Sequence, residues 1–451
     1  MVAGGRFAPG HLGELTRLVP FEMVDAALAE TCRVQRRVRD LPSRVVVYLL
    51  LAACLFPEAG YRGVWRRLAA GLAGLPVAAP SAGALAQARR RVGPEPLRFL
   101  FDLLRGPACV PRERGARWHG LLACAIDGTI FSVPDTPANL ARFARGGGMH
   151  GGTGYPQVRL LALVACGTRT IIDAVFGPTS SGETSYAPAL LRSLRAGMIV
   201  LADRNFGSGP LAGQVSRTGA EFLIRVRTGN SSPKLPVLAR HGDGSWRSRF
   251  GGVPVRVIDA RVTVTTAAGC RTSLYRLVTT LLDEHAHPAG SLAALYHERW
   301  EIETAYLEVK SAMLGGRVLR ARTPAGLDQE IYALLITYQV IRTAMADAAA
   351  TRPGTDPDRV SFTIARHAAR DQVTRAAGIT ARDAGDLAGT IGRQALAALL
   401  PARRQRASPR VVKRAISKYQ ARGTTDRASY KASLTIDIQT QPHTLTTTAS
   451  P

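Results

Sequence analysis

Acidic residues are scarce in this 451-residue chain. Only 33 Asp and Glu stand against 59 Lys and Arg, a formal net charge of +26. An enzyme of small anionic metabolites has no need of such an excess, whereas a polyanion, nucleic acid first, gains directly from it. Lysine is also rare: Lys234, Lys310, Lys413, Lys418 and Lys431 are the five present, so nearly all the positive charge is Arg. Guanidinium forks suit phosphate, but a GC-rich coding sequence gives the same bias, and the choice of Arg carries no functional weight. The six cysteines, at 32, 54, 109, 124, 166 and 270, form no Cys-x-x-Cys pair. None lies near a His pair, which excludes a structural zinc motif and argues against a disulfide framework. The longest apolar run, 45–56, stops at Pro57 and is short of the roughly 20 residues a bilayer helix needs. The N-terminus has no basic start followed by an apolar core and a small-residue cleavage site. The expectation is a cytoplasmic chain with no membrane segment. No Gly-Lys-Ser/Thr phosphate loop occurs, so ATP use is not expected. The nine histidines form no metal set; His297-Glu298 lacks the second His of a zinc-protease helix.

What is present is enough apolar residue, 46%, for sizeable cores in about three modules of roughly 150 residues. Residues 1–115 read as a helical N-terminal DNA-binding domain, with apolar spacing over 21–37, 61–72, 83–92 and 97–104 and a buried helix over 45–56 started by Pro42-Ser43. The 83–92 segment carries Arg89, Arg90 and Arg91 after a short turn, in the manner of a recognition helix; an ordinary basic surface helix is the alternative. From about 116 to 227 the pattern becomes strands at 121–133, 157–167 and 170–176. Helix 186–194, strand 198–202, helix 209–218 and strand 221–226 follow, which describes a mixed sheet with helices packed on it. A glycine-rich loop over 145–156 reads as mobile. Residues 228–288 read as a β-rich insertion, with short strands at 253–258, 262–266 and 273–281. Residues 289–350 return to helix (292–313 and 331–349), and 351–431 are helical and basic, dense in Arg and Lys from 403. The Thr-rich, polar stretch 432–451 is expected to be disordered.

The segment YHERWEIETAYLEVK carries the most chemistry. On a helix of about 100° per residue, Tyr296, Arg299, Glu303 and Lys310 share one stripe roughly 60° wide, while Glu301 and Glu308 point elsewhere. A stripe mixing one acid, two bases and a phenol differs from an ordinary solvated face. Two aspartates add to it. Asp127 lies inside the apolar run ACAIDGTIFSV, where an uncompensated carboxylate is costly. Asp203 closes the strand MIVLA and opens the turn DRNFG, where a helix cap is the simpler role. Hard carboxylate oxygens on rigid elements suit Mg²⁺ or Mn²⁺.

Asp127-Gly128-Thr129, the turn Asp203-Arg204-x-Phe206 and above all Tyr296-x2-Arg299-x3-Glu303-x6-Lys310 resemble the insertion-sequence-four family of DDE transposases. Trp300 and Ile302 strengthen the likeness, which spans roughly residues 30–420 with no departure at a signature position. The resemblance implies an α/β fold: a ribonuclease-H-like mixed sheet with flanking helices, a β-rich insertion before the catalytic glutamate helix, and a helical N-terminal domain. It implies that Asp127, Asp203 and Glu303 hold two Mg²⁺ (or Mn²⁺) ions. It further implies a metal-dependent enzyme that binds terminal inverted repeats, cuts and joins double-stranded transposon and target DNA, and acts as a dimer in the DNA complex without ATP. Tyr296, Arg299 and Lys310 would hold phosphate near the cut, with Arg204 beside them, and Trp246 would stack a flipped base. A domesticated DNA-binding relative, or a nuclease of the same fold without strand transfer, is the alternative; flanking inverted repeats would separate the classes.

Overall fold

The computed structural model describes residues 5–37, 39–108, 117–145, 154–266, 269–379, 386, 388–401 and 432–439, with backbone alone for 266, 269, 411–412, 421–422 and 432. Most of the glycine-rich loop and the basic stretch after 402 lie outside the described residues. In chain order the elements are α1 (Phe21–Glu30), α2 (Ser43–Leu55), α3 (Tyr61–Ala70), α4 (Ala82–Val92) and α5 (Glu95–Leu104). Next come β1 (Arg117–Trp118), β2 (Leu121–Ser132), α6 (Pro137–Leu140), β3 (Gln157–Ala165), β4 (Ile171–Pro178), α7 (Glu183–Tyr186), β5 (Met198–Ala202), α8 (Gly209–Arg217) and β6 (Glu221–Val226). The insertion supplies β7 (Ala239–Arg240), β8 (Trp246–Phe250), β9 (Val253–Thr266) and β10 (Gly269–Thr279). The chain continues with α9 (Ala289–Tyr296), α10 (Glu301–Leu307), α11 (Pro324–Ala350), α12 (Phe362–Arg375), α13 (Gly389–Ala397), β11 (Val411–Val412), β12 (Ala421–Arg422) and β13 (Ala432–Ile438).

Two compact units result, and their boundaries differ from the sequence expectation. One takes Met1–Arg117, Gly128–Tyr186 and Glu301–Pro401; the other takes Trp118–Asp127, Ala187–Trp300 and Ala402–Pro451. The N-terminal helices are therefore no separate body, because α11 supplies the apolar surface on which α2 and α5 close.

In the first unit α11 is buried around most of its circumference, as a helix with no polar face must be. Thr323 caps its N-terminus by accepting the Gly326 N–H, and Pro324 sits at its first position. Its buried polar side chains tie it to neighbouring segments, helix ends among them. Gln329 Nε2 donates to the Arg89 and Gly93 carbonyls at 2.8 and 2.6 Å, closing α4. Glu330 accepts the Arg320 and Ala321 N–H groups, and Arg320 in turn donates to Ala53 and Phe56 at the end of α2. α2 is buried from Val45 to Leu55, as its unbroken apolar run requires. The sheet part of this unit runs β4-β3-β2, with β3 and β4 an antiparallel hairpin.

In the second unit β2, β5 and β6 run parallel, Ile126 pairing with Ala202 and Leu201 with Leu223. The insertion extends this sheet antiparallel through β10, β9, β8 and β7. β9 is one strand of 14 residues where two short ones were expected. It turns back on β10, and the buried Asp259 meets its cross-strand partner Arg276 in a two-pronged ion pair at 2.8 and 2.6 Å. Three further segments depart from the expectation. The 21–37 helix ends at Glu30, and 187–193 is a 3₁₀ rather than an α segment. Residues 432–438, read as disordered, form β13 on the far part of β9. The alternation Leu434, Ile436, Ile438, half-buried with exposed residues between, is a strand pattern hidden in a Thr-rich composition.

Chain truncation before Ala432 should uncover the β9 edge and remove three half-buried aliphatic side chains, a loss of about 1–3 kcal/mol. Thermal unfolding of the truncated chain should shift down by several degrees; an unchanged transition would mean β13 contributes nothing.

Candidate active site

β2 is apolar and buried over Leu122–Ile126 and then delivers Asp127 half-buried, its side chain 19% exposed. β5 is buried throughout and ends at Ala202, so Asp203 follows it directly. Because Ile126 and Ala202 are register partners in parallel strands, the two aspartates follow the last paired residues of neighbouring strands, about one strand spacing of 4.8 Å apart, although β2 itself runs on to Ser132. The backbone N–H of Asn205 donates to Asp203 Oδ1 at 2.8 Å and that of Phe206 to the Asp203 carbonyl at 3.1 Å. Asp203 thus shapes its own turn, and the helix that follows, α8, has Ser208 at its N-cap instead. Arg204 is exposed on that turn.

Arg299 is buried to 8% and its Nη1 lies 3.5 Å from Asp127 Oδ2. Its guanidinium also lies over the Trp300 ring at 4.7 Å. Tyr296 is 3% exposed and meets Tyr275 edge-to-face at 5.9 Å; burial pushes its phenol well above the ordinary value, against the lowering influence of Arg299 and Arg225. Tyr275 is covered on its ring face by Arg225 at 3.7 Å. Arg225 and Tyr275 were missed from the sequence, because they come from β6 and β10 and no spacing links them to Tyr296.

In the other unit Glu303 is half-buried on α10. Lys310 Nζ donates to Thr129 Oγ1 at 3.3 Å, so the third residue of Asp-Gly-Thr receives the last residue of the helix signature. Gly128 between Asp127 and Thr129 faces Glu183: an added Cβ would stand 2.3 Å from a Glu183 carboxylate oxygen, so a side chain there must push that carboxylate off Arg159, to which it is ion-paired at 2.9 Å. Residues 296–310 are not one uniform helix. α9 ends at Tyr296, His297–Trp300 is 3₁₀, and Glu308–Met313 is π-helical. The uniform 100° step therefore fails across both junctions, and the wider π turn resets the direction of Lys310.

The remaining candidates divide. Arg89 is half-buried and stacked over Tyr61 at 3.9 Å, while Arg90 and Arg91 are exposed. Trp246 does not offer its ring: β8 alternates, burying Trp246, Ser248 and Phe250 and exposing Arg247 and Arg249, so period-two geometry turns the indole inward, with Arg276 over it at 5.6 Å. Among the described residues no three Asp, Glu, His or Cys side chains gather as a metal cage. The Asp127–Asp203 pair does fit a divalent cation, with hard oxygen donors on adjacent strands.

Two acids on adjacent parallel strands, with the buried Arg299 beside one of them, offer the hard oxygen donors that phosphoryl-transfer chemistry uses, and the comparisons name the class of protein. Residues 9–102 match the family model "Insertion element 4 transposase N-terminal", and residues 118–340 match "Transposase DDE domain". The chain belongs to the insertion-sequence-four DDE transposases, and is a metal-dependent DNA transposase by that membership. It is 29% identical over 416 residues to the transposase InsG for insertion sequence element IS4 of Escherichia coli, covering 88% of this chain and 91% of that one. Over 208 residues it is 31% identical to the putative transposase InsZ of the same organism, 45% of this chain and 66% of that one. A solved piggyBac transposase synaptic complex with hairpin DNA aligns with a TM-score of 0.43 and 11% identity over 83% and 84% of the two chains, a distant likeness.

Arg299 compensates Asp127 in the DNA-free protein, so a divalent cation approaching that carboxylate meets a resident positive charge. Arg299→Gln should therefore bind Mn²⁺ several-fold more tightly than the parent in calorimetry without DNA, and Arg299→Lys about as the parent does. Weaker binding by the Gln variant would show that Arg299 builds the metal site.

Proposed function

We propose that the chain binds the terminal inverted repeats of its own insertion sequence, cleaves both strands at each end and joins the freed 3′ ends to target DNA, with Asp127, Asp203 and Glu303 as the acidic triad. The observation that carries this reading is the register of β2 and β5, which delivers two aspartates side by side, combined with the complete Tyr296, Arg299, Glu303, Lys310 signature. Asp127 and Asp203 would hold Mg²⁺ or Mn²⁺, and Glu303 would complete the set for two ions. Bound there, the ions supply activation of the attacking oxygen and charge stabilisation at the leaving one.

The chain's own residues do the rest. Arg299 and Lys310 carry positive charge beside the Asp-Gly-Thr strand and orient a phosphate by charge-assisted hydrogen bonds. Tyr296 stays a protonated phenol at neutral pH, since burial raises it, and acts by packing and donation. Arg90 and Arg91 stand free of the core on α4 and reach a groove or backbone, with Arg89 held back on Tyr61. Phosphodiester exchange needs no ATP, and two ends cut together call for a dimer on DNA. No described helix is long and apolar enough to cross a membrane, and the chain acts where the nucleoid lies.

Asp127→Asn, Asp203→Asn and Glu303→Gln should each abolish end cleavage in Mg²⁺ or Mn²⁺, by 1,000-fold or more on the scale of a lost essential group, while end binding in gel shifts stays within a few-fold. A variant that cuts at the parental rate removes its residue from the triad.

DNA affinity should fall steeply with salt, because phosphate contacts release counterions. Replacing Arg90 and Arg91 with Ala should weaken binding to the terminal repeat more than to random duplex. Equal losses on both DNAs would assign α4 to backbone contact alone.

A further inference from the structure

Behind the Glu303 helix lies a buried ionic network that the mechanism above does not use. Arg169 sits at the tip of the β3–β4 hairpin with φ of 56°, a left-handed conformation rare for a residue with a side chain. It is 8% exposed. Its Nε donates to Glu301, its Nη1 lies 3.3 Å from Glu308 Oε1, and its Nη2 lies 3.0 Å from Asp358 Oδ1. Glu308 is held a second time by Arg342, which is 2% exposed, and the Tyr338 hydroxyl lies 3.0 Å from the Glu308 carboxylate. The three acids together hold Arg169 more firmly protonated than usual, against the cost of its burial.

The geometry of the helix gives this network a direction. Glu301 and Glu308 are seven residues apart, about two turns, and so face one way; Glu303 lies about 200° round from Glu301 and faces the other. Arg169 thus grips the helix at two points on the side opposite the acid proposed for catalysis. The second grip falls at Glu308, where the π segment begins, and the next turn sends Lys310 to Thr129. Burying charges is a poor way to gain stability, since well-packed apolar side chains do as well or better. What directional ion pairs add is a fixed rotation and register, which apolar contacts leave softer.

We propose that Arg169, acting through Glu301 and Glu308, is a positioning residue for Glu303 and Lys310. It sets the rotation of α10 and the phase of the π turn so that both side chains meet the DNA end in register. This rests on the reading of Glu303 as a triad acid, and the experiment keeps the two apart. The full chain is compared with Arg169→Lys and with the double variant Arg169→Met/Glu301→Leu, which replaces the first grip with an apolar pair. Melting temperature, affinity for terminal-repeat DNA, cleavage rate and Mn²⁺ affinity by calorimetry without DNA are measured for each.

A role in stability alone predicts that the repacked variant, once as stable as the parent, cuts as the parent does. The positioning role predicts otherwise: melting within a few degrees and end binding within about two-fold, but cleavage at least ten-fold slower and Mn²⁺ bound at least three-fold more weakly. Arg169→Lys, which keeps the charge and loses the fork, should fall between them. If the double variant fails to fold, Arg169→Lys decides alone. Parental cleavage and parental Mn²⁺ affinity in either folded variant overturns the proposal. Glu303→Gln is the control; if it cuts at the parental rate the triad reading falls, and this proposal with it.

Discussion

The parallel pairing of β2 with β5 is the constraint on which the site depends. Parallel strands pair in a buried sheet only when both are apolar, and here the apolar run of each ends one residue after the last register pair, at an aspartate. The same pairing that removes Leu122–Ile126 and Met198–Ala202 from water forces two carboxylates into proximity. Two like charges so placed must be compensated, by Arg299 on Asp127 and by the Asn205 N–H on Asp203. Gly128, the next residue, is constrained separately. A side chain on the residue after Asp127 would have to displace the Glu183 carboxylate from Arg159.

Charge compensation recurs through the molecule at several depths. The +26 surplus belongs to the surface and to DNA, but the buried arginines are a different population. Arg169, Arg342 and Arg256, together with the half-buried Arg276, are each tied to carboxylates or carbonyls inside their own unit. Only the cations that keep solvent contact, such as Arg90, Arg91, Arg204, Arg247 and Arg249, are available to a phosphate backbone. Counting charge by sequence overstates the DNA-binding surface for that reason.

The π turn at Glu308–Met313 shows how a short signature can mislead about geometry while remaining right about identity. The x6 spacing between Glu303 and Lys310 reads as two turns of a regular helix, yet one turn is widened and the segment before it is 3₁₀. Lys310 nevertheless reaches Thr129, because its position is set by what Glu308 is tied to rather than by the helical step. The irregular backbone is held by the Arg169 and Arg342 network, which costs charge burial and returns a fixed orientation.

Sequence alone determined most of the elements and the family. Apolar periodicity marked most of the helices and the core strands to within a few residues. The acid in an apolar strand marked Asp127, and the four-residue signature marked the family, because each of these is a local pattern. Tertiary structure alone decided the rest. That Asp203 stands beside Asp127, that Tyr296 is buried against Tyr275, that Trp246 faces inward and that Ala432–Ile438 is a strand all depend on partners far away in the chain. Arg169 is the clearest instance: in sequence it is one Arg among many in a hairpin turn, and only packing against α10 and the π segment after it gives it two glutamates to hold. Long-range ion pairs have no period and no spacing, so no linear pattern announces them.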